Sequence, residues 1–521
     1  MLTTTRLRPS PKPTFTMRRN RAKIIGDPLT PDTSTAATSR SDNGTAAIAS
    51  HRYYSSHTSS SLLHDDHRHH VPSKHSILIP SPLNALLHSD RHMKYHFYNL
   101  GGDFIRVSAY RRFKQLFRIG GGSLIKEIVF DLSTFLKREL NDEKSGVHLQ
   151  FKNYLTSNSN ILKKKESHWC LCDHQFGLRN WLFIVFGYML QTYKEEEVHE
   201  CLDDVIKMYL NARKNRLDPD NIRVIRDERD NFTLATFQNY INTVEIQEDL
   251  LFGKNNNSTR FVTISSAYNQ RIYLPPLPKL HDRDLLIKAL MHKEFYRLLL
   301  DPRHKFAQTM QSHNYDLSFG EYGLIRKEIS FLDGLGDFFL AQETSRLIFD
   351  LCRNNNSNNN SNNNSNNNSS NGTLDTDDYG YISFNPNASS QTYNLLKMIL
   401  ATNTLMSKLT KCYNLYQGLN DPIINTRIAD EWIPYTTTGQ LPPSKNLDEV
   451  RIYEEEFLGD FFESYMAALL IEQPNMAKSF IREIYKRLIS VMTKTLPPEV
   501  TYQNWTMNIL GRNIYGKKEV V

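Results

Sequence analysis

Two acidic pairs in the C-terminal half of the chain have the spacing that metal chemistry needs. Asp333 and Asp337 stand four residues apart, and Asp460 and Glu463 stand three apart. On a helix, either spacing puts both carboxylates on one face, about a turn from each other. Gathered carboxylates repel, and a divalent cation or a proton resolves the conflict. If the two helices faced each other, they would form a four-carboxylate pocket for one or two Mg²⁺ ions, with Mn²⁺ a workable substitute. Taken singly, each pair also reads as the acidic turn of an ordinary solvated helix.

The elements that must position these acids are legible as helices. Leu332, Leu335, Phe339 and Leu340 give the first helix an apolar side, and Gly336 permits close approach of another helix. Phe461, Phe462, Tyr465, Ala468 and Leu469 do the same for the second, where Ala467 and Ala468 allow tight contact. Helical periodicity dominates from about residue 281 to 495, which predicts an all-α fold for this region. The Asn/Ser tract from Asn354 to Asn371 cannot bury enough apolar surface to offset its ordering entropy, so a disordered insertion is expected over 354–390. Before this region, Arg271 to Leu280 is a stiff, proline-rich approach, read as a linker or domain edge.

Residues 93–270 read as a second, mostly helical domain whose sequence names no chemistry. One helix is predicted over 121–140, with Leu124, Ile125, Ile128, Phe130, Leu132 and Phe135 apolar, and another over Glu196 to Lys214. Trp181 to Leu190 is ten apolar residues, too short to span a bilayer and suited to a core helix. Residues 1–92 are rich in Ser, Thr, His, Pro and Asn and are expected to be a disordered basic tail. Residues 496–521 form a short C-terminal tail.

The formal charge of +7 suits a nucleic-acid partner without demanding one. Five cysteines in 521 residues fit a reducing compartment better than a disulfide scaffold. Cys170 and Cys172 lie close to His168 and His174, a cluster that could hold zinc but lacks a second downstream pair. Seven basic residues, Arg6 to Lys23, precede the first acid, Asp27, and His51-Arg52-Tyr53-Tyr54-Ser55 is similar to a matrix processing site. Such a start fits a mitochondrial targeting segment. A basic tail of a nuclear protein is the alternative, and Pro9, Pro11 and Pro13 favour it by breaking any early helix.

Four ordered segments resemble the ribonuclease III endonucleases. Leu285 to Phe295 (LLIKALMHKEF) resembles the family's first signature helix, with Met291 and Glu294 where Thr and a hydroxyl residue are usual. Phe331 to Asp337 (FLDGLGD) resembles the hallmark L-E-F-L-G-D, with Asp333 for Glu and Gly334 for the aromatic. Ile399 to Leu415 resembles the L-V-S-N helix, Asn403 matching its Asn, and Gly459 to Glu472 resembles D-V-F-E-A-x-I-G-A-I-Y-L-D. The proline-rich approach and the D-x-F-E-x-Y pattern are most similar to the fungal branch that processes structured RNA precursors.

The resemblance implies an RNase III-type domain over 275–495, with Asp333, Asp337, Asp460 and Glu463 as catalytic, metal-holding acids. It implies structural roles for Asn403 and Gly336, hydrolysis of phosphodiesters in double-stranded RNA, and a homodimer in which each protomer cuts one strand. Ribosomal or RNA-processing proteins are implied partners. The double-stranded-RNA-binding domain usual downstream has no room in the residues after Lys494. A catalytically silent structural protein of the mitochondrial large ribosomal subunit is the rival reading. Lys478, Arg482 and Lys486 recur every four residues on the last strong helix and could meet RNA phosphates as one stripe.

Overall fold

The computed structural model describes residues 76–80, 91–117, 122–138, 169–173, 181–214, 228–253, 260–264, 270–317, 323–361, 396–397, 399–441 and 446–495. Its principal helices are α1 (Arg91–Leu116), α2 (Gly122–Arg138), α3 (Trp181–Thr192), α4 (Glu195–Ala212) and α5 (Glu228–Thr243). They continue with α6 (Arg283–Ala289), α7 (Phe295–Leu299), α8 (Gly323–Ser361), α9 (Asn403–Tyr413), α10 (Leu447–Glu472) and α11 (Pro474–Thr495). Three small antiparallel ladders depart from an all-α fold: β1 (Ser76–Pro80) with β2 (Trp169–Asp173), β3 (Glu245–Ile246) with β6 (Leu419–Asn420), and β4 (Phe261–Ile264) with β5 (Gln270–Tyr273). The fold is thus predominantly helical, with minor β elements.

The acidic helices sit at the centre because they are apolar on nearly every side. In α10 every residue from Phe457 to Leu470 is buried, Asp460 and Glu463 included. Burial of that run is the main local drive, since each large apolar side chain removed from water contributes roughly 1.5–3 kcal/mol. Helix α10 packs on α8, α9 and α11, and α8 packs in turn on α1 and α2. The helices on either side of the proline-rich approach therefore share one continuous core. The approach itself is packed: Leu274, Leu277 and Leu280 are buried, and the hydroxyls of Tyr413 and Tyr465 donate to the carbonyls of Pro275 and Pro278.

Several sequence expectations are corrected here. The helix expected over 285–295 is broken, with α6 ending at Ala289 and α7 starting at Phe295. Strand β1 falls inside the tail expected to be structureless, because Ser76–Pro80 finds a partner in Trp169–Asp173, pairing Ile79 with Cys170 and Ile77 with Cys172. The candidate zinc residues His168 and His174, and the side chains of Cys170 and Cys172, lie outside the described residues. Helix α8 runs to Ser361, into the Asn/Ser tract, since extending an established helix gains a bond for each residue fixed. The remainder of the expected insertion, 362–390, lies outside the described residues. In α2, Ile125, Ile128, Leu132 and Phe135 are buried, but Phe130 is 40% exposed and sits off the packed face. No helix among the described residues is long and apolar enough to cross a membrane.

Candidate metal centre

Gly336 sets the distance between the acidic helices. A Cβ at this position would stand 1.9 Å from the carbonyl oxygen of Glu463, so only glycine lets α8 and α10 cross so closely. The crossing brings Asp333, Asp460 and Glu463 together, with one carboxylate oxygen from each within 4.8 Å of the others. All three residues are buried. Among the described residues, this is the one group of three or more acids, histidines or cysteines so gathered. Asp337 lies one turn along α8 from Asp333, outside that trio. It faces the ammonium of Lys126, from α2, at 3.6 Å.

The break between α6 and α7 delivers two residues that the acidic pattern did not reveal. Lys293 donates to Asp460 Oδ2 at 2.6 Å and to Asp333 Oδ2 at 3.1 Å. His292 Nε2 lies 2.9 Å from the same Asp460 oxygen. Its Nδ1 accepts from the backbone N–H of Glu294 at 3.1 Å, so in the neutral ring the proton is on Nε2 and is donated to Asp460. The imidazole is held against Phe457, ring centroids 4.1 Å apart, which fixes its aim. An uninterrupted helix would not have placed two successive side chains on one carboxylate, because successive residues point about 100° apart.

The electrostatics of the pocket follow from this arrangement. Burial raises the Asp460 carboxyl, but Lys293 and His292 outweigh it and hold the group below the usual carboxylate range. Glu463 lacks such support. Burial, then Asp337, Asp333 and Asp460, push its carboxyl well above the ordinary value, against a smaller opposing pull from Lys126. Burial lowers both lysines, yet the facing carboxylates win and raise each above the normal ammonium range. Four carboxylates are therefore set against two ammonium groups, and Glu463 keeps its proton to higher pH than a free glutamate does. A surplus of negative charge with converging oxygens is what a hard divalent cation requires, so the donor set fits Mg²⁺ or Mn²⁺.

The N-terminal helices close the other wall. A Cβ at Gly334 would stand 2.3 Å from the Tyr110 hydroxyl and 2.7 Å from Lys126 Cε. The space left by the missing aromatic is thus occupied by α1 and α2. Tyr110 stacks on Phe331 with centroids 5.3 Å apart, and its hydroxyl lies 3.4 Å from the carbonyls of Phe331 and Gly122.

The remaining sequence candidates are more scattered. Asn403 opens α9 as an exposed residue just after the Thr402 cap, and its Cα would lie 3.4 Å from a Cβ at Gly459. Lys478 pairs with Glu195 at 3.4 Å, and Arg482 pairs with Glu343 at 2.7 Å and with Asp350 at 3.8 Å. Lys486 is exposed. The basic stripe is therefore largely engaged within the molecule. His292 and Lys293 carried no signal of their own, because they lie in the break between α6 and α7 that the apolar pattern of 285–295 does not show. Lys126 and Tyr110 carried none, being some two hundred residues away in sequence. No family model, curated protein or solved structure matches this chain.

Proposed function

We propose that this chain is a metal-dependent endonuclease that hydrolyses phosphodiesters in double-stranded RNA during RNA precursor processing, through an RNase III-type domain over 275–495. The observation that carries this reading is the meeting of Asp333, Asp460 and Glu463 from two helices, with one oxygen from each inside 4.8 Å. These three would hold the ion, Mg²⁺ or Mn²⁺. A divalent ion bound there supplies positive charge against the scissile phosphate and lowers the pKa of a coordinated water. Asp460 is kept ionised by Lys293 and His292, so it is ready as a ligand without first losing a proton. Glu463 releases its proton as the ion enters. Lys126 holds Asp337 at the rim, where the pair is partly exposed and sets the charge that an incoming phosphate meets. Duplex RNA is recognised largely by shape, phosphates and 2′-hydroxyls, so no base-reading element is required.

Incubating the full chain with duplex RNA and Mg²⁺ is expected to give fragments with 5′-phosphate and 3′-hydroxyl ends, and none after chelation. Duplex that stays intact under both conditions would refute the proposal.

One observation favours a second reading. Lys293 already neutralises Asp333 and Asp460 together, as a resident cation would in a silent site. In that case the chain is an RNA-bound structural protein, most simply of the mitochondrial large ribosomal subunit, in keeping with its basic start. The nuclear compartment goes with precursor processing. Stable association with ribosomal particles, unchanged by Glu463→Gln and without cleavage, would establish the structural role.

A further inference from the structure

The same tight helix crossing occurs twice among the described residues. In one, Gly336 of α8 meets the carbonyl of Glu463 in α10. In the other, Gly101 of α1 meets the carbonyl of Phe183 in α3, again with a Cβ placed at 1.9 Å. Gly187, four residues after Phe183, returns the contact on the carbonyl of Phe97 at 2.0 Å, and Ala467 holds the place four residues after Glu463. The local sequences correspond: Leu100-Gly101-Gly102-Asp103-Phe104 in α1 and Leu335-Gly336-Asp337-Phe338 in α8. The extra glycine moves the crossing one position earlier relative to the aspartate.

Helices α1 and α8 also pack on each other, and they run antiparallel. Phe97, near the start of α1, meets Phe349 far along α8 with centroids 5.6 Å apart, while Tyr110 meets Phe331 near the start of α8. Phe97 and Phe331 each stand six residues before the aspartate of a Gly-Asp pair, and each puts its ring on the facing helix. That reciprocity is what a two-fold relation between two copies of one unit requires.

We infer that residues 91–212 contain a second, chemically blank copy of the acidic helix pair, which stands where a second subunit would, so that the working unit is one chain with one acidic centre. Matched on the aspartate of each Gly-Asp pair, Asn99 stands for Asp333 and Asp103 for Asp337; matched on the crossing, Phe183 stands for Glu463 and Asn180 for Asp460, Asn180 by sequence alone. The single retained acid has other work. Asp103 is buried and accepts from the Ser345 hydroxyl of α8 at 2.6 Å, from Arg106 at 3.0 Å and from the Lys397 ammonium. It is a tie between the copies. In return, α1 and the helix that follows it, α2, supply Tyr110 and Lys126 to the wall of the acidic centre, so that wall is completed within the chain rather than by a partner.

The pairing itself rests on the crossings and not on nuclease activity; only the strand count rests on the function proposed above. Sedimentation of the full chain with duplex RNA absent, across a wide range of concentration, is expected to give one species at 60.6 kDa. A species of twice that mass overturns the inference. A duplex labelled separately on each strand then reads the number of centres. A monomer with one centre cuts one strand in each binding event. Cutting of both strands in a single event by a monomer overturns the blank assignment. A monomer that cuts neither strand leaves the internal pairing standing and refutes the nuclease reading alone.

Discussion

Glu463 illustrates how far the chemistry of this pocket is set by neighbours rather than by residue type. Its carboxyl is raised in the folded chain, whereas in the unfolded chain it ionises near 4.5. The stability it contributes is therefore complete below that pH and is lost as pH rises through the higher folded value. Glu463→Gln cannot ionise, so the metal-free variant is predicted to melt with the wild type in acid and above it in alkali. Melting curves against pH in the presence of chelator check this, and a variant less stable than wild type in alkali would contradict it. Lys293→Met is predicted to act in two directions. Leaving Asp333 and Asp460 without their ammonium should lower metal-free stability by about 2 kcal/mol, since Lys293 is itself part-exposed and the full penalty for breaking a buried pair is larger. The freed carboxylates should bind Mn²⁺ about tenfold more tightly, a gain of ~1.4 kcal/mol, as titration calorimetry would read. The spacing singled out Asp333, Asp460 and Glu463, which do meet, and with them Asp337, which stays outside the trio against Lys126. Lys293 and His292 were not, because their access depends on a helix break that the apolar period of 285–295 conceals.

At the scale of elements, the crossing of α8 and α10 governs the site. Gly336→Ala would place a methyl 1.9 Å from a backbone oxygen that cannot swing aside. Overpacking of this kind costs about 3 kcal/mol, and Mn²⁺ affinity should fall with it as the carboxylates separate. Calorimetric melting together with Mn²⁺ titration tests both effects; an unchanged Tm would show that the helices can slide apart freely. The glycine's part was readable, since a glycine amid apolar helix positions signals close approach. The β ladders were not, because β3 with β6 and β1 with β2 each join segments about a hundred residues or more apart, which local periodicity cannot report. The same limit hid the role of Gly334. Its lost aromatic looks like a defect in the strand of sequence around it, yet Tyr110 and Lys126 fill the space.

At the scale of the whole molecule, charge is spent on holding helices together as much as on any partner. Arg482 shields Glu343, a fully buried carboxylate, so Arg482→Ala is predicted to destabilise by about 2 kcal/mol. Lys486→Ala should leave Tm unchanged and, if the exposed end of the stripe meets RNA, reduce the salt slope of binding by about one. Thermal melts and binding isotherms at several salt concentrations separate the two residues. The N-terminal helices named no chemistry in sequence because their contribution is made across the core, to a pocket whose acids lie elsewhere. The rate of duplex cleavage tests the role of the α8–α10 crossing most directly. Wild type and Glu463→Gln are to be compared on the same duplex RNA in Mg²⁺, with folding of both verified. The prediction is a loss of cleavage of about 10²-fold or more in the variant. Equal rates would place the chemistry outside the α8–α10 crossing and contradict the account.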